Sequence, residues 1–85
     1  MTDDTPIEGA IRRLLAAAGP GKTLAPIDIA RSLAPEPEWH ALLPQVRRTA
    51  VALALAGRLV IYRKGKPVDP ENFKGVWRMG LPRQD

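Results

Sequence analysis

The stretch from Leu43 to Lys64, LPQVRRTAVALALAGRLVIYRK, constrains the chain most, because it carries a helix, a stop signal and a strand in direct succession. Val46, Ala50 and Leu53 recur at i, i+4 and i+7, the spacing that lines apolar side chains along one helix face. Pro44 suits the start of that helix, where its missing N–H would have no intrahelical partner. Gly57 ends the pattern, since glycine readily takes the left-handed conformation that helix C-termini favour. The β-branched and aromatic run Val60, Ile61, Tyr62 follows at once and predicts a strand over Arg58–Lys64. Leu59 and Ile61 then share one face, and Val60 and Tyr62 the other.

The remainder is short enough to pack around this unit. The sequence of 85 residues makes a single domain over 1–85, with an ordered core expected at about 6–80. A domain of this size buries only about 60% of its unfolded surface, so the core is small. With 45% hydrophobic and 26% charged residues the composition is that of an ordinary globular domain, not of a disordered chain. No apolar run approaches the ~18 residues that span a bilayer, and MTDDTPIEG is acidic where a signal peptide would be basic and then apolar. The expectation is a cytoplasmic protein without a membrane partner. Cysteine is absent, which excludes disulfides, thiolate metal sites and a cysteine nucleophile. The single His40 makes no multi-histidine site, so neither a metal nor a cofactor is expected.

The charge is unevenly placed. Residues 1–42 carry Arg12, Arg13, Lys22 and Arg31 against Asp3, Asp4, Glu8, Asp28, Glu36 and Glu38, a balance of −2. Residues 43–85 hold the remaining basic groups against only Asp69, Glu71 and Asp85, a balance of +6. A basic second half suggests a polyanionic partner for that end of the molecule, although surface lysines and arginines also serve solubility alone.

In chain order, Thr5-Pro6-Ile7-Glu8 reads as a capping box with proline at the first helical position. Ile7, Ile11, Leu14, Leu15 and Ala18 fall on one face and predict a helix over Pro6–Ala18, stopped by Gly19-Pro20-Gly21. Lys22–Leu24 is too short for an independent strand but long enough to pair with a hairpin edge. Pro26 opens a second helix, predicted to end at Ala34 before Pro35. Trp39, Leu42 and Leu43 then share helical spacing until Pro44. Two segments, Glu38–Leu42 and a longer helix from Pro44 to Ala56, are favoured over one kinked helix, with Trp39 expected in the core. After the strand, Gly65-Lys66-Pro67 and Asp69–Asn72 supply two turns, making the connection longer than a tight hairpin. Val76–Met79 returns as a strand, and Arg83–Asp85 is expected to fray. The order predicts an α+β fold, specifically a winged helix-turn-helix with three to four helices, a C-terminal β-hairpin wing and a short third strand.

The segments IDIARSLAP and WHALLPQVRRTAVALALAGRLVIYRKGKPVDP also resemble a small uncharacterised bacterial winged-helix family, a domain of unknown function. The resemblance spans about Ile7 to Met79 and is most specific at Trp39, Leu42 and Pro44 and in the turn from Lys64 to Pro70. It implies the same fold and a bacterial cytosolic setting, and it implies no activity.

On a helical wheel Val46, Ala50, Leu53 and Ala54 centre on the buried side, while Gln45, Arg48, Thr49, Ala52 and Ala56 point away. Gln45, Arg48 and Thr49 stand at the N-terminal end, where a recognition helix meets base edges; arginine can bridge guanine and glutamine adenine. Arg47 lies at the side, within reach of a phosphate or an acid such as Glu36. Arg63, Lys64 and Lys66 on the hairpin 58–79 suit the phosphate backbone. The first functional expectation is therefore double-stranded DNA binding in a transcription-related role, with 44–56 as recognition helix. Ala52, Leu55 and Ala56 give the same helix an apolar half, and so the second expectation is a homodimer or protein-interaction module. Catalysis is not expected: Asp28, Glu36, Glu38, Asp69 and Glu71 are separated by turns or sit at helix starts, and no nucleophile, base and orienting group can be assembled.

Overall fold

The computed structural model describes residues 6–82. Its elements run α1 (Pro6–Ala18), β1 (Thr23–Leu24), α2 (Pro26–Leu33), a 3-10 helix (Glu38–Leu42), α3 (Leu43–Leu55), β2 (Val60–Arg63), β3 (Lys66–Pro67) and β4 (Arg78–Gly80). The described residues thus form an α+β fold of three α-helices and a four-stranded antiparallel sheet of order β1-β4-β2-β3.

The helices form where apolar spacing predicts them. Ile7, Ala10, Ile11 and Leu15 of α1, Ile29 and Ala30 of α2, and Val46, Ala50 and Leu53 of α3 are buried in one core. At the start of α2, Ala25 N–H donates to the Asp28 carboxylate at 3.0 Å and Asp28 N–H donates to Ala25 O at 3.0 Å. Asp28 therefore closes the helix start, the task expected of a carboxylate there. The expected Thr5 cap and the expected fraying at Arg83–Asp85 lie outside the described residues.

The 3-10 helix and α3 are two segments, but no non-helical residue separates them. Leu42 (φ −84°, ψ −15°) and Leu43 (φ −55°, ψ −43°) are both helical, and Leu43 N–H donates to His40 O. Pro44 has no N–H to continue an α ladder backwards, so the chain before it tightens into 3-10 geometry. Trp39 is buried in the core as expected, with its indole N–H lacking an acceptor among the described residues.

Gly57 closes α3. At φ +79° its N–H donates to Ala54 O (3.0 Å), while Arg58 N–H donates to Leu53 O (2.8 Å), the paired bonds of a Schellman end. Because Arg58 N–H is spent on the helix, β2 begins at Val60 rather than at Arg58. It ends at Arg63, since Lys64 (φ +52°) and Gly65 (φ +80°) form a two-residue turn with both central residues in the left-handed region. The connection is thus a tight hairpin followed by a loop, a correction to the turn expected at Gly65-Lys66-Pro67. Lys66 and Pro67 become a fourth strand, paired with Arg63 and Tyr62. Proline is tolerated there because β3 is an edge with no further partner to bond.

The return strand is also shifted, from the expected Val76–Met79 to Arg78–Gly80. Gly75 (φ +86°) bends the chain, and the Arg63 Nε–H donates to Val76 O at 3.1 Å, so that carbonyl is taken by a side chain rather than the sheet. Val76 is left 84% exposed.

Strand alternation gives the sheet two faces. Leu24, Met79 and Ile61 are in register across β1, β4 and β2 and pack against the helices. Thr23, Gly80 and Val60 form the neighbouring row on the outer face, beside the Tyr62–Arg78 pair. Gly80 fits because a methyl there would stand 3.0 Å from Lys22 O and 3.3 Å from Tyr62 Cε2. Arg78 crosses to β1, donating from Nε to Thr23 Oγ1 (2.7 Å) and from Nη2 to Thr23 O (3.0 Å).

The loop between β3 and β4 is fastened to α3 by Arg47. Its Nη2 donates to Phe73 O at 2.9 Å, and its guanidinium carbon stands 4.1 Å from the centre of the Phe73 ring. Phe73 in turn meets Trp77 edge-on at 5.5 Å, and both rings are buried.

Two stability predictions follow from these contacts. Gly80→Ala forces the new methyl against a backbone carbonyl and is expected to lower unfolding free energy by about 1–3 kcal/mol in denaturant titrations; an unchanged midpoint would contradict the close packing described. Arg47→Met keeps the aliphatic stem but removes the guanidinium. It is expected to destabilise by roughly 1–2 kcal/mol and to raise amide hydrogen exchange across residues 69–76; exchange unchanged in that loop would contradict its fastening by Arg47.

Candidate nucleic-acid interface

The first turns of α3 present their side chains in two groups. Val46 and Ala50 point into the core, which turns Gln45 and Arg48 to solvent, while Thr49 is half-buried. Arg47, one of the residues expected to reach a phosphate or Glu36, is instead directed to Phe73. Arg63 behaves alike: it is half-buried, donates to Val76 O and lies against Gly75, where an added methyl would stand 2.8 Å from its Nη2. Arginine suits both places, because its planar fork can bond a carbonyl and lie flat against a ring or a bare backbone together.

The other cations remain uncommitted. Arg48, Lys64 and Lys66 are exposed, and none has a hydrogen bond or ion pair among the described residues. The ion pairs found there, Arg12 with Glu8 and His40 with Glu36, each at 3.6 Å, lie outside α3 and the hairpin. An exposed cation outside an ion pair keeps its attraction for a phosphate, and each phosphate it neutralises releases counterions condensed on the nucleic acid.

The predicted residues are gathered into separate neighbourhoods. Arg48, Thr49, Ala52 and Ala56 border a shallow hollow together with Glu8 of α1 and Arg58. Glu8 brings a negative charge beside the outward side of α3 that the helical wheel alone does not reveal. Leu55, by contrast, stands 56% exposed at the end of the helix, with Ala52 and Ala56 also exposed. Lys64, in the turn at the tip of the hairpin, borders a different groove, shared with Lys22 and Arg78. Nothing in the sequence marks Lys22 and Arg78 as neighbours of Lys64, since they come from chain segments that only strand pairing brings together.

Among the described residues no three His, Cys, Asp or Glu side chains are placed to hold a metal ion, and no helix is long and apolar enough to cross a membrane.

No curated protein matches this sequence. A family model described as a protein of unknown function, DUF3253, matches residues 4–82, nearly the whole chain. That span takes in every helix and strand described above, and the chain therefore belongs to the DUF3253 family of proteins of unknown function.

Proposed function

We propose that this chain is a winged helix-turn-helix protein of the bacterial cytoplasm that binds duplex DNA in a transcription-related role. Support for the fold reading comes from the strand between the first two helices, which pairs with the return strand of the hairpin and so yields the order β1-β4-β2. In that arrangement the third helix meets the major groove and the hairpin meets the backbone.

The observation that carries the DNA reading is the set of uncommitted cations Arg48, Lys64 and Lys66, on the exposed start of α3 and the tip of the hairpin. Gln45 and Arg48 supply the amide and guanidinium that read adenine and guanine. Lys64 and Lys66 supply affinity without sequence information. Arg47 and Arg63 act from behind, fixing the loop against α3 and the hairpin instead of touching phosphate. A single domain of this size contacts one half-site, so strong sequence selectivity would require a second copy or a second domain.

Fluorescence anisotropy with labelled duplexes over a range of salt concentrations tests this reading. Affinity is expected to fall steeply with salt, and Lys64→Ala and Lys66→Ala are each expected to lower the slope of log K against log salt by about 0.9. Arg48→Ala is expected to reduce discrimination between sequences as well. Absence of binding at low salt, or slopes indifferent to all three substitutions, would sink the proposal.

A second reading is favoured by one observation, the exposed Leu55 between Ala52 and Ala56. Here the C-terminal turns of α3 dock against another copy of the chain or a different protein. Sedimentation velocity over increasing concentration is expected to show self-association that Leu55→Asp abolishes; a monomer at every concentration would rule out the homodimer.

A further inference from the structure

We propose that the outer face of the sheet carries a second site, which takes a small molecule joining a flat apolar ring system to one anionic group, such as a carboxylate, phosphate or sulfonate. The groove there has a volume of about 700 Å³, inside the range of roughly 300–1,000 Å³ typical of small-molecule sites. Three features fix the chemistry of its occupant.

Charge is the first. Lys22, Lys64 and Arg78 all border the groove, and among the described residues no carboxylate does. Lys22 and Lys64 are exposed and have no hydrogen bond or ion pair among the described residues. Arg78 is held in place by its two bonds to Thr23, which use Nε and Nη2 and leave Nη1 without a partner among the described residues. One fixed guanidinium and two mobile ammonium groups around one hollow form a receptor for an anion.

The second feature is the wall. Because Gly80 has no side chain, the Tyr62 ring leans over the middle strand, with Cε2 3.3 Å from where a Gly80 methyl would be. A half-buried ring lying across a sheet offers a face on which another flat ring can stack. Val76, 84% exposed, stands at the same groove, so an apolar ligand would cover carbon now in contact with water.

Third is the comparison with the other basic hollow. Arg12, Arg13 and Arg58 border a cavity of about 550 Å³ between α1 and the end of α3, but its walls are aliphatic and Arg12 is paired with Glu8. Of these two hollows, the sheet groove is the one that combines unpaired cations with an aromatic wall among the described residues.

The proposal does not depend on DNA binding, and its test uses none. The probes are anilinonaphthalene sulfonate and phenylnaphthylamine, which share their rings but differ in the sulfonate. Dye fluorescence is titrated against the full chain and against Lys22→Glu, Lys64→Glu, their double variant and Arg13→Glu, with circular dichroism confirming the fold of each. The sulfonate dye is expected to saturate at one site per chain, to bind roughly tenfold tighter than the uncharged dye, and to lose about tenfold in affinity in the double variant while Arg13→Glu leaves it unchanged. Equal affinity for both dyes, binding that does not saturate, indifference to the double variant, or loss in Arg13→Glu would each overturn the assignment.

Discussion

Strand β4 is the constraint on which the rest of the molecule depends. It is only Arg78–Gly80, yet it pairs with β1 on one side and β2 on the other. A two-residue strand such as β1 has no stability of its own, so it exists only because β4 arrives beside it from near the far end of the chain. The entropy of closing that long loop is offset by burial: Met79 is fully buried, and it stands between Leu24 and Ile61 against the helical core. Arg78 adds two bonds to Thr23 across the same junction. Once β4 is seated, the hairpin and the loop before β4 have little choice of position.

That loop is then fixed by arginine side chains. Arg47 reaches it from α3 and Arg63 from β2, each donating to a backbone carbonyl that the sheet does not use. The division of labour among the basic residues follows from this. Two arginines hold the framework, while Arg48, Lys64 and Lys66 are left to solvent. Any polyanion that binds the helix and hairpin meets a pre-arranged surface, because the groups that orient the loop are distinct from those available to contact a ligand.

Much of this was legible in the sequence, and for identifiable reasons. Helix positions followed from apolar spacing, and the end of α3 from Gly57, because both are set within a few neighbouring residues. Burial of Trp39 was legible from its apolar partners at helical spacing, and the pairing of Thr23–Leu24 with the hairpin from a segment too short to stand alone. The misplaced boundaries have two causes, a side chain reaching from another strand and a local backbone conformation. Arg63 takes the Val76 carbonyl and so shortens the return strand, while the turn at Lys64-Gly65 requires a lysine in a left-handed conformation that sequence rules assign to glycine or asparagine. Arg47 shows the same limit for the candidate site. A basic residue beside exposed Arg48 looks available to phosphate, and only the approach of Phe73 redirects it. The basic groove was invisible because Lys22, Lys64 and Arg78 belong to three segments that pairing alone assembles.

The reading of the surface turns on whether the start of α3 and the hairpin tip act as one contact face for DNA. Amide chemical-shift mapping of the labelled protein, titrated with a short duplex at low salt, observes this directly. The expected result is one set of perturbed residues that includes Gln45, Arg48, Lys64, Gly65 and Lys66, reversed by added salt. Perturbations confined to the Leu55 end of α3, or none at any DNA concentration, would contradict it.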